Sequence, residues 1–496
     1  MKKLILIVLG VCGLASCKKF LSEYSQSDVK PKTTAHYGEI LQSDGYPGRL
    51  ETLQAWAIFL DDDVESYSGP TLAGSGLERQ PSSIYQWQPN MSTRAPADGF
   101  GASFNTWANY YELLLGANVV LQFIDDAEGP REEKDRLKGQ ALTLRAFYHF
   151  MLVNFYARPY NDSTTTPDKI PGIPIRTSAN LSEALLTRNS VKEVYDQIGK
   201  DLDTAVLLLD KYKIVEKKTV ISHVAAHLLA SRVALYTENW EKAIFHADKV
   251  LAASPQLMDL NTWGGFPNPE EKPLVGPSNV ESIWCYGSYL EKTISPFAEA
   301  YDISHSLANT FDPTDLRSLT GFYVNPPEFK FLFAPDFTQQ KDLPSYVTSK
   351  MDYLNSWRSS EAYLNRAEAY IQLYKKNGDA NAAAQALKSL NTLRANRIER
   401  SAYQDWTMMP ADQLLQQCRE ERRRELYLEE MHRWFDLRRY GMPAITHVYR
   451  PDELTTLQYV LEKRDLQYVI PIPQEVMERN PRLTQIPQLT GERSPK

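Results

Sequence analysis

Cysteine is scarce: four occur in 496 residues, and two of them, Cys12 and Cys17, fall within the first seventeen. That leaves too few for a disulfide framework. Cys285 and Cys418 remain for the body of the chain; they read as buried free thiols, although a pair is the alternative. Long apolar runs are missing as well, since no stretch after residue 16 approaches the roughly 20 residues that span a bilayer. Long basic runs are absent, and 55 Lys+Arg against 62 Asp+Glu give a net charge of −7, which argues against nucleic acid as the main partner. There is no G-x-S-x-G elbow and no zinc spacing. His223 and His227 stand four apart on an Ala-rich segment, outside any HExxH order, and read as structural. A glycosidase would need two carboxylates roughly 5 to 9.5 Å apart across a cleft, and no pair declares itself. What the chain does have is 43% hydrophobic and 24% charged residues, an ordinary balance that excludes wholesale disorder.

The N-terminus "MKKLILIVLGVCGLASC" carries two lysines, a short apolar run and small residues before a cysteine. That is the pattern of an export signal. Leu14-Ala15-Ser16-Cys17 resembles a bacterial lipobox, so residues 1–16 are expected to be removed and Cys17 to be lipidated. Several acyl chains anchor a protein where one does not.

From about residue 101 the texture turns helical. "FNTWANYYELLLGANVVLQFIDDA" and "REEKDRLKGQALTLRAFYHFMLVNFYA" carry apolar residues at helical spacing around a turn at Gly129-Pro130. The pattern continues at 191–210, 222–240, 241–252, 359–375, 380–399 and 411–438. "AAHLLASRVALYTENWEKAIFHADKVL" resembles a tetratricopeptide repeat: Ala225, Ala226, Ala230 and Ala234 allow close packing, a second helix begins near Trp240, and Ala243 and Ala247 face in. "SEAYLNRAEAYIQLYKKNGDANAAAQALKSLNTLRANR" repeats the scheme, with Gly378 ending one helix and Ala383 and Leu387 inside. The expected fold is therefore mainly α, a tetratricopeptide-like scaffold of about four helix pairs. Residues 17–496 form one domain, with scaffold helices at about 101–253 and 357–440. Residues of about 254–356, rich in Pro, Gly and aromatics, form a loop-rich insertion of the kind that carries function.

The densest charge lies in "ERRRELYLEEMHRWFDLRRYG" (421–441). Arg419 to Arg439 hold seven arginines and six carboxylates. Glu420–Arg424 and Glu429–Arg433 stand at i,i+4, and Glu421–Arg424 and Asp436–Arg439 at i,i+3. Leu426, Tyr427, Met431, Trp434 and Phe435 form an apolar stripe. The stretch reads as a structural ion-pair network rather than a phosphate handle or a catalytic pair.

This stretch resembles the C-terminal helix of the SusD/RagB family of Bacteroidetes outer-membrane lipoproteins. "QALTLRAFYHFMLVNFYARPY" (140–160) with "IPGIPI" (170–175), "SSEAYLNRAEAYIQL" (359–373) and "YVIPIPQEVMERNPRLTQIP" (468–487) are similar to three further family motifs, in family order. The resemblance implies loops on a tetratricopeptide-like scaffold that form a ligand face. It implies binding of glycans, or in some branches peptides, without catalysis or cofactor. The implied partner is a SusC-like TonB-dependent transporter in the outer membrane, the anchored chain facing outward. Lys18 and Lys19 follow Cys17 where surface-exposed members often carry acidic residues, so an inward-facing lipoprotein stays open as an alternative.

Sugar rings stack on aromatic side chains and their hydroxyls meet Arg, Asn and Asp. Two clusters fit: Arg79, Tyr85, Trp87 and Asn90 in "RQPSSIYQWQPN", and Trp263, Trp284, Tyr286 and Tyr289 in the insertion. Trp263, beside Gly264-Gly265, is the foremost candidate, whereas Trp284 in "SIWCY" also suits a strand core. Packing under a loop is the competing reading for each ring. Asp61, Asp62 and Asp63, with Glu65, are hard oxygen ligands that could hold a structural calcium. The run lacks the glycine and terminal Glu of a calcium loop, so a solvated acidic turn competes. A peptide binder, a lipid-anchored hydrolase and a purely structural adaptor are the alternatives to glycan capture.

Overall fold

The computed structural model describes residues 31–48, 53–66, 76–100, 104–180, 185–262, 276–287, 300–319, 355–452 and 454–496. Helices α1 (Thr106–Phe123) and α2 (Arg131–Tyr156) form a hairpin through Gly129-Pro130, and α3 (Val191–Asp210), α4 (His223–Tyr236) and α5 (Trp240–Ala253) follow. Each packs on the next, and α6 (Ser359–Asn377) docks on both α4 and α5. Helix α6 pairs with α7 (Ala380–Arg394) and carries α8 (Ala411–Leu426), after which α9 (His432–Arg439) closes the series.

The ends of these helices are set by local chemistry. Ser190 and Glu193 make a reciprocal capping box on α3, Ser222 caps α4, and Asn239 caps α5. Gly378 ends α6 in the left-handed conformation at φ 68°, as expected of the sequence. Helix α3 shows one buried stripe, whereas every residue of α4 is buried. A helix enclosed on all sides marks the centre of the array. Close approach is built in: a Cβ at Gly139 of α2 would lie 2.7 Å from Leu209 Cγ of α3, so α2 and α3 meet with no room for a side chain there.

Two helices differ from the periodicity. Residues 380–399 stop being helical at Arg394, and 411–438 breaks between Leu426 and His432. In the break Tyr427 is extended, and Leu428 and Glu430 take φ of 53° and 46°. Left-handed backbone is costly for such residues. Here it turns Glu429 and Glu430 inward onto Arg358 and Arg232, at 2.8 and 2.6 Å. A continuous helix would carry these carboxylates past the arginines.

The described parts of the insertion contribute short strands and two single-turn helices, His305–Ala308 and Leu316–Leu319. β1 (Val64–Ser66) pairs antiparallel with β3 (Tyr301–Ile303), and β2 (Ser282–Tyr286) with β4 (Asn355–Arg358), placing Trp284 opposite Trp357. β5 (Ile445–Tyr449) and β6 (Leu457–Leu461) form a hairpin, Ile445 opposite Leu461. The β2–β4 ribbon is buried on both faces. It presses Trp284, Tyr286 and Trp357 edge-on against Phe147 of α2, with ring centroids 5.2 to 5.7 Å apart. That cluster is the heart of the core.

Candidate functional site

The motifs that stand out in the sequence are mortar. Arg145, from the Leu-Arg-Ala segment of α2, grips Asp201 of α3 with two bonds of 2.8 and 2.7 Å and also reaches Asn118 of α1. Glu368, from the Arg-Ala-Glu-Ala segment of α6, takes two bonds of 2.7 Å from Arg439. Gln485 exchanges two bonds with the backbone of Ile472, and Asn480 donates to Leu186 O. At the centre Glu425 meets Arg358, Arg397 and Arg317, while Glu281 meets Arg358 and Arg397. All five are buried. Burial pushes the Glu421 carboxyl up, but Arg317 and Arg424 outweigh it and hold the group down at about 2. The expected pairs Glu421–Arg424 and Asp436–Arg439 form, at 2.8 and 2.7 Å. Arg433 reaches Asp62 and Glu429 reaches Arg358 instead of each other's neighbourhood on one helix. The reading of a structural network stands, and its reach is long-range.

The predicted ligand residues divide. Tyr85 and Trp87 are buried, and His447 is sandwiched between their rings at 4.1 and 4.0 Å. The Tyr85 hydroxyl donates to Val448 O, and Trp87 Nε1 donates to Leu60 O. Trp284 and Tyr286 stack on each other at 4.3 Å within β2, and the Tyr286 hydroxyl donates to Glu430. These four rings have their faces covered by protein, which corrects the expectation of a sugar platform; the competing reading, packing, holds for them. Arg79 and Asn90 are exposed, Arg79 lying 3.4 Å from Asp98. Trp263, Tyr289 and Cys17 lie outside the described residues.

The acidic run is also corrected. Asp62 is held at 2.6 and 2.7 Å by Arg433, and Asp63 at 2.7 Å by Arg423, while Asp61 accepts from the Asp63 amide. Burial raises the Asp62 carboxyl and the two arginines more than reverse it, to well below the usual range. Two guanidiniums thus neutralise Asp62 and Asp63, and with Asp61 and Asp63 buried the run is not the solvated turn that competed with calcium. Among the described residues no group of three or more His, Cys, Asp or Glu is arranged to hold a metal. Cys285 and Cys418 are buried and unpaired.

A concavity lined by rings lies elsewhere, with Trp107 itself 6% exposed and Tyr111 half-buried. Trp107 and Tyr111, one turn apart at the start of α1 with centroids 5.0 Å apart, line a cleft of about 420 Å³. Pro174, Leu185 and Leu483 give it apolar walls; Arg176, Ser178 and Asn480 give it polar ones. The Tyr111 hydroxyl donates to Pro174 O, fixing the ring against the 170–176 loop. Arg176 lends its backbone to His149 and Asn118, leaving its guanidinium at the cleft wall. Rings, a guanidinium and an amide in one concavity are the chemistry that meets the apolar faces and hydroxyls of a sugar. Sequence reasoning passed over these residues because "FNTWANYY" reads as the buried stripe of α1. The signal was there, as two large rings four apart in the first turns of a helix.

The architecture is a helical-repeat scaffold whose signature residues are buried ion pairs, with loops and short strands set on it. Residues 51–235 match the family model described as "Starch-binding associating with outer membrane", and residues 337–488 match that of the SusD family. Together these cover more than half of the chain, which belongs to the SusD/RagB family. A SusD superfamily protein from Bacteroides thetaiotaomicron superposes with a TM-score of 0.68 at 21% identity, covering 92% of this chain and 100% of its own. A SusD-like carbohydrate binding protein from Bacteroides vulgatus gives 0.65 at 22%, covering 91% and 97%. A SusD superfamily protein from Bacteroides fragilis gives 0.64 at 21%, covering 91% and 99%. No curated protein matches the sequence.

Proposed function

We propose that this chain is an outer-membrane lipoprotein that captures glycans at the cell surface and passes them to a SusC-like TonB-dependent transporter. The observation that carries the reading is the fold itself, shared over nine-tenths of the chain with proteins that include a carbohydrate binding protein. Placement at the membrane rests on the lipobox at Cys17. No described helix is long and apolar enough to cross a membrane. The cleft at Trp107 and Tyr111 supplies ring surface beside Arg176 and Asn480 for a sugar. Binding proceeds without turnover: the acidic run that could have served a hydrolase is committed to Arg423 and Arg433.

The test uses the chain lacking residues 1–17, titrated calorimetrically with a panel of oligosaccharides and peptides while products are followed by chromatography. Binding without products, weakened at least tenfold in Trp107→Ala, supports glycan capture. Released sugars overturn the non-catalytic reading, and binding of peptides alone moves the chain to the peptide-binding branch.

A further inference from the structure

Gly199 sits in the middle of α3 without a reason in the fold. Glycine in a helix interior is disfavoured against alanine because it gives up more backbone freedom. At two other helix glycines the residue is required: at Gly116 of α1 a Cβ would lie 2.0 Å from Asp44 O, and Gly139 meets Leu209. Around Gly199 an added Cβ would find nothing within 4 Å, and its φ is not left-handed. Packing does not explain it, and neither does the backbone.

What lies over Gly199 is a groove of about 530 Å³, within the ~300–1,000 Å³ usual for small-ligand sites. Helix α3 forms one wall through Asp196, Gly199 and Lys200, and the start of α5 forms the other through Asn239 and Lys242. The small side chains Ala230, Val233 and Ala234 of α4 line it between them. Tyr160 and Tyr195 add ring surface, crossed edge to face at 5.1 Å. The charges on the rim largely cancel: Asp196 is bound by Lys192 and Asp203 by Lys242, both at 2.6 Å. The hydroxyls of Thr204 and Thr237, both in the lining, donate to carbonyls of their own helices and keep their acceptor capacity.

We propose that this groove is a second carbohydrate site, taking a short neutral oligosaccharide with one sugar ring laid against the Gly199 backbone. The choice of a glycan rests on the function proposed above; the existence of the site rests on the groove and the glycine. A neutral rim, hydroxyl acceptors, ring surface and a shallow apolar floor suit an uncharged sugar, which alternates C–H faces with hydroxyl edges. An extended peptide fits less well, because its backbone groups need partners along their length. The middle of α3 on one side has spent its backbone groups internally, which leaves only the first turn of α5 to offer any. The groove shares no lining residue with the Trp107 cleft, so the two are separable by mutation.

The experiment compares the chain lacking residues 1–17 with its Gly199→Ala, Gly199→Leu and Trp107→Ala variants. Each is titrated with maltotetraose, cellotetraose and mannotetraose by calorimetry, and its Tm is measured. Gly199→Ala is expected to raise Tm by about 1 °C, the helix-propensity gain spread over a chain of this size, since nothing obstructs the new methyl. Gly199→Leu is expected to fill the groove and remove one of two binding events, leaving the event that Trp107→Ala weakens. A lower Tm in Gly199→Ala overturns the claim that packing is indifferent there. Unchanged binding in Gly199→Leu overturns the groove as a site while leaving glycan capture standing. A Gly199→Leu-sensitive event seen with peptides instead of sugars overturns the assigned class. Wild type that binds none of the three sugars removes the glycan assignment for both sites.

Discussion

Helices α1 to α3 and helices α4, α6, α8 and α9 are joined by different physics. In the first group the contact is rings and aliphatic side chains with one principal buried ion pair, Arg145–Asp201, stitched to Asn118. In the second, arginines from α4, β4, α8 and α9 interlock with carboxylates from α6, α8 and the 428–431 break. Apolar contact tolerates small slips of one element past another, whereas bidentate arginine–carboxylate pairs accept one geometry. The buried network is therefore weak evidence for extra stability and better understood as fixing the register of four elements.

The largest expected effect tests this directly. Glu425→Ala leaves Arg317, Arg358 and Arg397 facing an empty buried site, and should cost at least the ~3–5 kcal/mol typical of breaking a buried pair. Urea unfolding followed by tryptophan fluorescence measures it. Asp201→Asn keeps shape and one acceptor near Arg145 and should cost less, about 1.5–3 kcal/mol, the range for hydrogen bonds to charged groups. Equal losses in the two variants would erase the contrast between the regions.

Acid should separate them next. Burial pulls His149 of α2 and His246 of α5 down to about 3, and His447 to about 4 despite two carbonyls that would accept its protons. A histidine with a depressed value binds its proton only after unfolding. Its contribution is thus intact above about pH 6.5 and lost progressively as pH falls towards 4 to 3. Glu421, held at about 2, acts lower: its contribution is intact above about pH 4.5 and drains away as pH falls to 2. Hydrogen exchange between pH 7 and 4 should show weakening around α2 and the β5 strand before the amides of α8. Protection lost first in α8 would contradict the assignment. The smallest effect concerns thiols: burial raises both Cys285 and Cys418, so a thiol reagent at pH 8 should leave native protein unlabelled and label both after denaturation. Fast labelling of native protein would show that β2 or α8 opens readily.

Much of the scaffold was legible because helices advertise themselves by period and cap. The helix over 191–210, the stop at Gly378 and the Ala-rich α4 all fell where the sequence placed them. The break after Leu426 was not, because nothing local stops that helix. It is set by Arg232 and Arg358, each more than sixty residues away in sequence. The site was harder still. A buried ring and a binding ring have the same letter, and Tyr85, Trp87, Trp284 and Tyr286 turn out to be packed against partners more than a hundred positions distant, such as His447 and Glu430. Gly199, by contrast, could have been flagged from sequence as a glycine interrupting a strong helical pattern.

Asp62 and Asp63 are bound by Arg433 and Arg423, and Gln88 exchanges two bonds with the backbone of Arg493. Residues made early in synthesis thus wait for residues made some four hundred positions later. A chain emerging in order cannot complete these contacts until nearly all of it is available, and such long separations slow folding. Under the membrane placement proposed above, lateness is useful: it keeps the chain unfolded and threadable for as long as transport requires.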